Sequence, residues 1–254
     1  SRTAHVIGAP RRRKVYHVTD AGREEAAKST PPEKKRRGRS VGPIPDKILL
    51  HGREDFVASL SSRLSEGSSI LLEGLPGIGK TTVAVSTAEY LLEDGWLVRW
   101  ENGQSDSDPR SIAGSWFGGR TPSTKDAIAA RADSKKTLLV LDEAQQLSGR
   151  HSNSIQEMLE ACSETSAAVL VVTRAPNPFT EMSGFESIRL EGLEPSMARP
   201  LLPEELDEEE AMEICLAMDG HPLGIKLWSP DDDLPGAGAV QEYVESQVLS
   251  RLTQ

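Results

Sequence analysis

Two hydrophobic periods share this chain. Short runs at 69–73, 97–100, 137–141, 168–172 and 187–190 are rich in Val, Leu and Ile, and those at 137–141 and 168–172 contain no charge. Such runs predict strands, and the uncharged ones predict strands buried on both faces of a sheet. Between them apolar residues recur at helical spacing. Phe56, Val57, Leu60 and Leu64 predict a helix over 53–64, while Val83, Thr87, Tyr90 and Leu91 predict another that stops at Gly95. Strands alternating with helices imply an α/β fold built on a parallel sheet. Beyond Leu190 the pattern is helical: 195–202, then 207–219 with Asp207 and Glu210 at capping-box spacing, Gly220 as its end and Pro222 in the next first turn. A last helix places Val240, Tyr243, Val244, Val248 and Leu252 on one face. The segment around Trp116, Phe117, Gly118 and Gly119 fits neither period and reads as mobile, with no function assigned.

The densest chemistry follows the first of these strands. Gly74-Leu75-Pro76-Gly77-Ile78-Gly79-Lys80-Thr81 has the spacing G-x-x-x-x-G-K-[ST] between an apolar run and a helix start. Glycines let successive backbone N–H groups turn toward a phosphate that bulkier residues would keep away. Lys80 is expected to reach the β- and γ-phosphates and the Thr81 hydroxyl to complete the coordination of Mg²⁺. Thr82 belongs to the same helix N-terminus, whose partial positive charge faces the anion.

A second element must supply the rest of such a site. The run 137–141 releases Asp142 and Glu143 where it ends, and ligands of open α/β sheets bind outside the carboxyl ends of strands. Asp142 is then the expected metal ligand, directly or through water. Glu143 is the expected base that polarises the attacking water. The run 168–172 ends in Thr173-Arg174, and a cation there can read a γ-phosphate or offset charge in the transition state. Lys80, Glu143 and Arg174 are thus the predicted catalytic groups, with ATP and Mg²⁺ as cofactors. No Asn-Lys-x-Asp guanine motif occurs, which disfavours a Ras-like GTPase, and the acidic C-terminal third is unlike the Arg-rich lid of small-molecule kinases.

Charge divides the chain unevenly. The 254 residues suit one α/β domain with a small appendage, and their net charge is −10. Residues 1–45 hold 12 Lys/Arg against 4 Asp/Glu, which leaves 17 against 35 for the remainder. An acidic body repels nucleic acid, so contact with double-stranded DNA is expected through the N-terminal part alone. There residues 4–10 and 15–18 predict a hairpin whose tip is Arg11, Arg12, Arg13 and Lys14, followed by a short helix from Thr19-Asp20 to Lys28. A basic surface hairpin of no special role is the plainer alternative. Residues 29–45 have linker composition and read as a solvated tether, whose cluster from Lys34 to Arg39 could also touch DNA or mimic a nuclear signal. Cys162 and Cys215 lack metal or redox spacing, the histidines form no ligand cluster, and no apolar run approaches a membrane span. The expectation is a cytoplasmic protein with reduced thiols and no membrane partner.

In this order, Gly74 to Thr82, Asp142-Glu143 and Thr173-Arg174 resemble the additional-strand class of P-loop ATPases, and more closely its STAND/AAA+ group. That resemblance implies a P-loop NTPase fold: a parallel five-stranded sheet with helices on both faces, the Arg174 strand between those of the Gly74 loop and Asp142, then a small helical lid. His51-Gly52-Arg53-Glu54 is similar to the box that opens such modules, which implies that Leu49 and Leu50 line the adenine. Gly220-His221-Pro222-Leu223 is similar to the lid motif in which the proline, here Pro222, touches the base and reports which nucleotide is bound. Many STAND switches carry a second Asp where Glu143 stands; Glu143 instead resembles the catalytic Glu of hydrolytic AAA+ members. The run from Arg12 to Arg23 resembles the wing and final helix of a winged helix-turn-helix domain.

The implied organisation is a partial winged-helix piece over 1–28, a basic Pro-rich linker over 29–45, a P-loop ATPase core over 46–192 and a helical lid over 193–254. A hairpin and one short helix cannot bury a core, and the chain begins at Ser, so a fragment lacking an upstream recognition helix is expected. Two functional classes follow. One is an ATP hydrolase acting as a nucleotide-dependent switch, binding ATP and ADP, coupled to DNA binding or transcription regulation, with self-association or a protein partner as further candidates. The other is a DNA-binding regulator that binds ATP without significant turnover.

Overall fold

The computed structural model describes residues 2–4, 13–15, 37–119, 121–230, 232–235 and 238–252. Two units form, 1–35 and 36–254. In the first, strand β1 (Arg2–Ala4) pairs antiparallel with β2 (Arg13–Val15), Arg2 opposite Val15 and Ala4 opposite Arg13. The backbone of Arg13 and Lys14 therefore belongs to a strand and not to a hairpin tip, which corrects the expected register. Arg11, Arg12 and the helix expected over 19–28 lie outside the described residues.

The second unit is a parallel six-stranded sheet in the order β3-β5-β6-β7-β4-β8. Its strands are β3 (Arg39–Val41), β4 (Ser69–Glu73), β5 (Leu97–Asn102), β6 (Thr137–Asp142), β7 (Ala168–Val172) and β8 (Phe185–Arg189). As expected, β7 lies between β4 and β6. The sixth strand is a correction, because Arg39–Val41 falls in the stretch read as a tether. Its pairing with Leu97–Arg99 uses backbone groups at a sheet edge, and all three side chains are exposed, so no apolar run announces it.

Period-2 alternation sorts the strand residues onto two faces. Ile70, Leu72, Leu138, Val140, Leu170 and Val172 pack against α1 (Glu54–Ser65) and α2 (Lys80–Glu93). Leu71, Leu139, Leu141, Val169 and Val171 pack on the other face against α3 (Pro109–Phe117), α4 (Lys125–Ala132) and α5 (Ser152–Ser163). The segment read as mobile is thus α3, whose Trp116 is fully buried and donates from Nε1 to the Val140 carbonyl at 3.2 Å. A capping box between Asp108 and Ser111, with Pro109 at the first helical position, starts this helix; nine residues are too few to show a period.

A third core belongs to the helical segment after Leu190. Here α6 (Pro195–Ala198), α7 (Glu208–Ala217), α8 (Pro222–Leu227) and α9 (Val240–Leu252) enclose Leu193, Ala211, Ile214, Met218 and Ile225. The Asp207 side chain accepts from the Glu210 N–H at 2.9 Å and caps α7. Gly220, at φ +63°, ends the turn after α7, and the Leu193 N–H donates to its carbonyl at 2.8 Å. A Cβ at Gly220 would lie 1.8 Å from the Leu193 carbonyl oxygen, so only glycine lets the two backbones meet where sheet and lid join.

Candidate nucleotide site

The loop from Gly74 to Lys80 leaves the carboxyl end of β4 and enters α2. The buried Lys80 ammonium donates to the carbonyls of its own loop, Gly74 at 3.0 Å and Leu75 at 2.8 Å. Burial, and then the Arg174 guanidinium nearby, pull its pKa down to about 8. Gly77 sits at φ +77°, and a Cβ there would lie 2.6 Å from Leu223 Cδ2 and 3.1 Å from His221 Cε1. The lid motif therefore rests directly on the loop.

The end of β6 places Asp142 behind Thr81. The Thr81 hydroxyl donates to Asp142 Oδ2 at 3.0 Å, and the Glu143 N–H donates to Oδ1 at 2.8 Å. Burial pushes the Asp142 carboxyl above the usual range, against the pull of both hydrogen bonds. Two hard oxygen donors, a hydroxyl and a carboxylate, suit Mg²⁺, which keeps several waters and takes other ligands from phosphate. Among the described residues no cluster of three His, Cys, Asp or Glu could hold a metal by itself.

Glu143 adopts φ +52°, a left-handed conformation uncommon for a residue with a side chain. Arg174 Nη2 donates to its Oε2 at 3.1 Å. Gln145 Nε2 donates to the same oxygen, and Gln145 Oε1 accepts the backbone N–H of Arg174 at 3.1 Å. One carboxamide thus ties the acid of β6 to the cation of β7. The run Asp142-Glu143-Ala144-Gln145 is visible in the sequence, but nothing in its spacing assigned Gln145 a role.

Lys80, Thr81, Thr82, Glu143 and Arg174 line one cavity of about 290 Å³, closed on the lid side by Pro222, Leu223 and Lys226. An adjoining cavity is lined by Ile48, Leu49 and Leu50, with Ile78, Thr82 and Pro222. Gly77 and Gly79 line the first of these cavities as well. Leu75 faces a different cavity, of about 530 Å³, between β8 and the lid. The Pro76 carbonyl accepts from His221 Nε2 at 2.8 Å, the proton resting on Nε2 because Nδ1 accepts the Gly224 N–H at 3.0 Å. Burial lowers the His221 pKa and keeps the ring neutral. Arg53, recognised from sequence only as part of a box, is buried and donates to the carbonyls of Ile78 at 3.2 Å and Glu191 at 2.6 Å, bracing the loop against the exit of β8. Thr173 is fully buried, and its N–H donates to the Leu72 carbonyl at 3.0 Å.

The family described as "ATPase family associated with various cellular activities (AAA)" matches residues 70–187. No curated protein matches the sequence. Among solved structures, a STAND protein with a tetratricopeptide repeat sensor from Pyrococcus horikoshii aligns at TM-score 0.50 and 18% identity, covering 88% of this chain and 35% of that one. The chain thus spans about a third of that protein's length, and the likeness is one of fold. PCH-2 of C. elegans aligns at TM-score 0.41 and 14% identity over 79% of this chain and 68% of that one. A RuvB mutant from Thermotoga maritima aligns at 0.44 and 16% over 82% and 73%.

Proposed function

An AAA domain, of the ATPase family associated with various cellular activities, occupies residues 70–187, and from that premise we propose that this protein is a Mg²⁺-dependent ATP hydrolase acting as a nucleotide-dependent switch. The observation that carries the reading is the single cavity lined by Lys80, Thr81, Glu143 and Arg174. Phosphates entering it compete with the Gly74 and Leu75 carbonyls for the Lys80 ammonium, which exchanges two neutral acceptors for an anion. The positive end of α2 and the inward N–H groups of the loop receive the same charge. Thr81 and Asp142 would hold Mg²⁺, which when bound neutralises charge on the phosphates and favours displacement at the γ-phosphorus.

Glu143 accepts the proton of the attacking water as that oxygen bonds to the γ-phosphorus and the bond from the γ-phosphorus to the β–γ bridging oxygen breaks, giving ADP and inorganic phosphate. Its Oε2 is engaged by Arg174, and the γ-phosphate supplies the guanidinium with a replacement anion. Binding of ATP would thereby free the base and engage Arg174 in one rearrangement. Leu49, Leu50 and Pro222 are assigned to the adenine and Gly74 to Thr82 to the phosphates. Lid contact through Pro222 makes opening and closing depend on the nucleotide.

Steady-state hydrolysis by the protein beside Glu143→Gln, with nucleotide binding measured on both, tests the assignment. Loss of turnover with binding intact is expected; equal turnover in the two removes Glu143 as the base. Coupling to DNA through Arg11, Arg12, Arg13 and Lys14 is part of the same proposal and rests on the basic charge of residues 1–45. Tight ATP binding without turnover in either protein would favour a DNA-binding regulator that uses the nucleotide only to set conformation.

A further inference from the structure

The loop from Gly74 to Lys80 borders two cavities. Gly77, Gly79 and Lys80 line the nucleotide cavity, whereas Leu75 and Ile78 line a separate one of about 530 Å³ between the exit of β8 and the end of α7. Ile78 is also a wall of the cavity that holds Leu49 and Leu50. His221, whose ring donates to the Pro76 carbonyl, lines the separate cavity too. This cavity therefore touches the phosphate loop, the loop's contact with the lid, and the joint where the Leu193 N–H meets the Gly220 carbonyl.

Its lining has a definite chemistry. Ile78, Leu190, Leu193 and Val240 are buried and make an apolar floor. The exposed rim carries Leu216 and three carboxylates, Glu191, Glu194 and Asp219, against one cation, Arg189. Arg189 Nε stands 3.1 Å from Glu191 Oε1, so those two charges cancel. Glu194 and Asp219 have no ion-pair partner among the described residues. Small-molecule sites are concave and mostly apolar, hold about 300–1,000 Å³ and carry a few polar groups that fix orientation. This cavity has each of those properties.

We propose that it is a second ligand site, for a small apolar molecule bearing one ammonium or guanidinium group, and that its occupation acts on the phosphate loop. The apolar body removes the floor from water, and the cation meets Glu194 and Asp219 at the rim, where an anion would be repelled. A ligand packed on Leu75 and Ile78 restricts the loop that presents Gly77, Gly79 and Lys80. The two sites then share a coupling free energy that is equal in both directions. The site stands on the cavity by itself; its effect on the nucleotide rests on the nucleotide-site reading.

Calorimetric titration with phenylbutylamine, phenylbutanol and phenylbutyrate, which share a body and differ in head group, tests the site. The amine should bind about fivefold more tightly than the alcohol, and the carboxylate most weakly, because two rim carboxylates favour the cation. Asp219→Asn combined with Glu194→Gln should bring amine and alcohol level; Asn tolerates the positive φ of 48° at position 219. Leu216→Trp, at an exposed rim position, should close the mouth and abolish binding of all three. Saturating amine should change the affinity for Mg²⁺-ADP by about fivefold or more. No saturable binding of the amine, or binding that survives Leu216→Trp, would overturn the site, and a preference for alcohol or carboxylate would overturn its chemistry. Amine binding that leaves ADP affinity unchanged would overturn the action on the loop. A chain that binds the amine but no ADP would bring down the nucleotide-site reading and leave this site standing. The comparison of the three probes on the wild-type chain needs no variant to fold.

Discussion

The Arg174 guanidinium stands 3.1 Å from Glu143 Oε2, so the cation of β7 and the acid of β6 neutralise each other across the mouth of the cavity. An oxygen held by two donors is a weaker base, because both stabilise the negative charge that a proton would neutralise. We expect Arg174→Ala to lose affinity for an ATP analogue while ADP affinity is retained, because only the triphosphate reaches that end of the cavity. Turnover should fall by about a hundredfold or more, the usual cost of removing a cation from a phosphoryl-transfer site. Competition binding with the two nucleotides and a single-turnover assay separate the effects; equal loss for ADP would move Arg174 away from the γ-phosphate.

Gln145 bridges the same pair through its carboxamide. Its replacement by Ala leaves Glu143 with one donor fewer and unties it from the Arg174 backbone. Turnover should therefore fall in Gln145→Ala because the base is less firmly placed, with nucleotide affinity little altered. Unchanged turnover would make Gln145 a structural brace only.

Lys80 yields a proton-linkage prediction with a definite sign. Free in the site it titrates near 8, and a bound phosphate favours its charged form. At pH 9 the free protein is mostly neutral at this position, so nucleotide binding should take up roughly one proton; at pH 7 this group should take up almost none. Affinity should fall as pH rises past about 8. Calorimetry in buffers of different ionisation enthalpy measures the uptake, and Lys80→Met should abolish it. Without nucleotide, the ordinary lysine value of 10.5 exceeds the folded one, so the unfolded chain binds the extra proton between about 8 and 10.5. Stability from this group rises with pH across that window.

Trp116 fills the core under α3 and satisfies its indole N–H on Val140. Truncation to Ala should cost about 3–5 kcal/mol, the range for removing a large buried aromatic. Chemical unfolding followed by circular dichroism reports it; a cost below about 1 kcal/mol would mean that α3 packs loosely against the sheet.

Replacing Arg11, Arg12 and Arg13 with Ala should weaken duplex DNA binding and flatten its salt dependence, by up to about 0.9 in slope for each phosphate no longer neutralised. Anisotropy titrations over a salt series measure both. No change in either would leave these three arginines without a role in DNA binding.

The sequence by itself determined much of the scaffold. Uncharged runs at 137–141 and 168–172 could only be strands covered on both faces, and they became β6 and β7. The spacing from Gly74 to Thr81 marked the loop because backbone approach to a phosphate demands small residues at fixed offsets. Asp142, Glu143 and Arg174 were legible because ends of parallel strands converge on one edge of a sheet. β3 was hidden, since a pairing made by backbone atoms at an edge leaves no side-chain pattern. α3 was hidden as well, being too short for periodicity. The tertiary structure alone decided that Lys80 rests on its own loop, that Gln145 joins Glu143 to Arg174, that His221 spans to Pro76 and that Leu75 and Ile78 face a second cavity. Each of these is a contact between residues remote in sequence or a choice among rotamers. Local sequence encodes which backbone conformations and which buried faces are favourable, whereas the partner of a polar side chain depends on where the packed sheet and lid bring the other donors and acceptors.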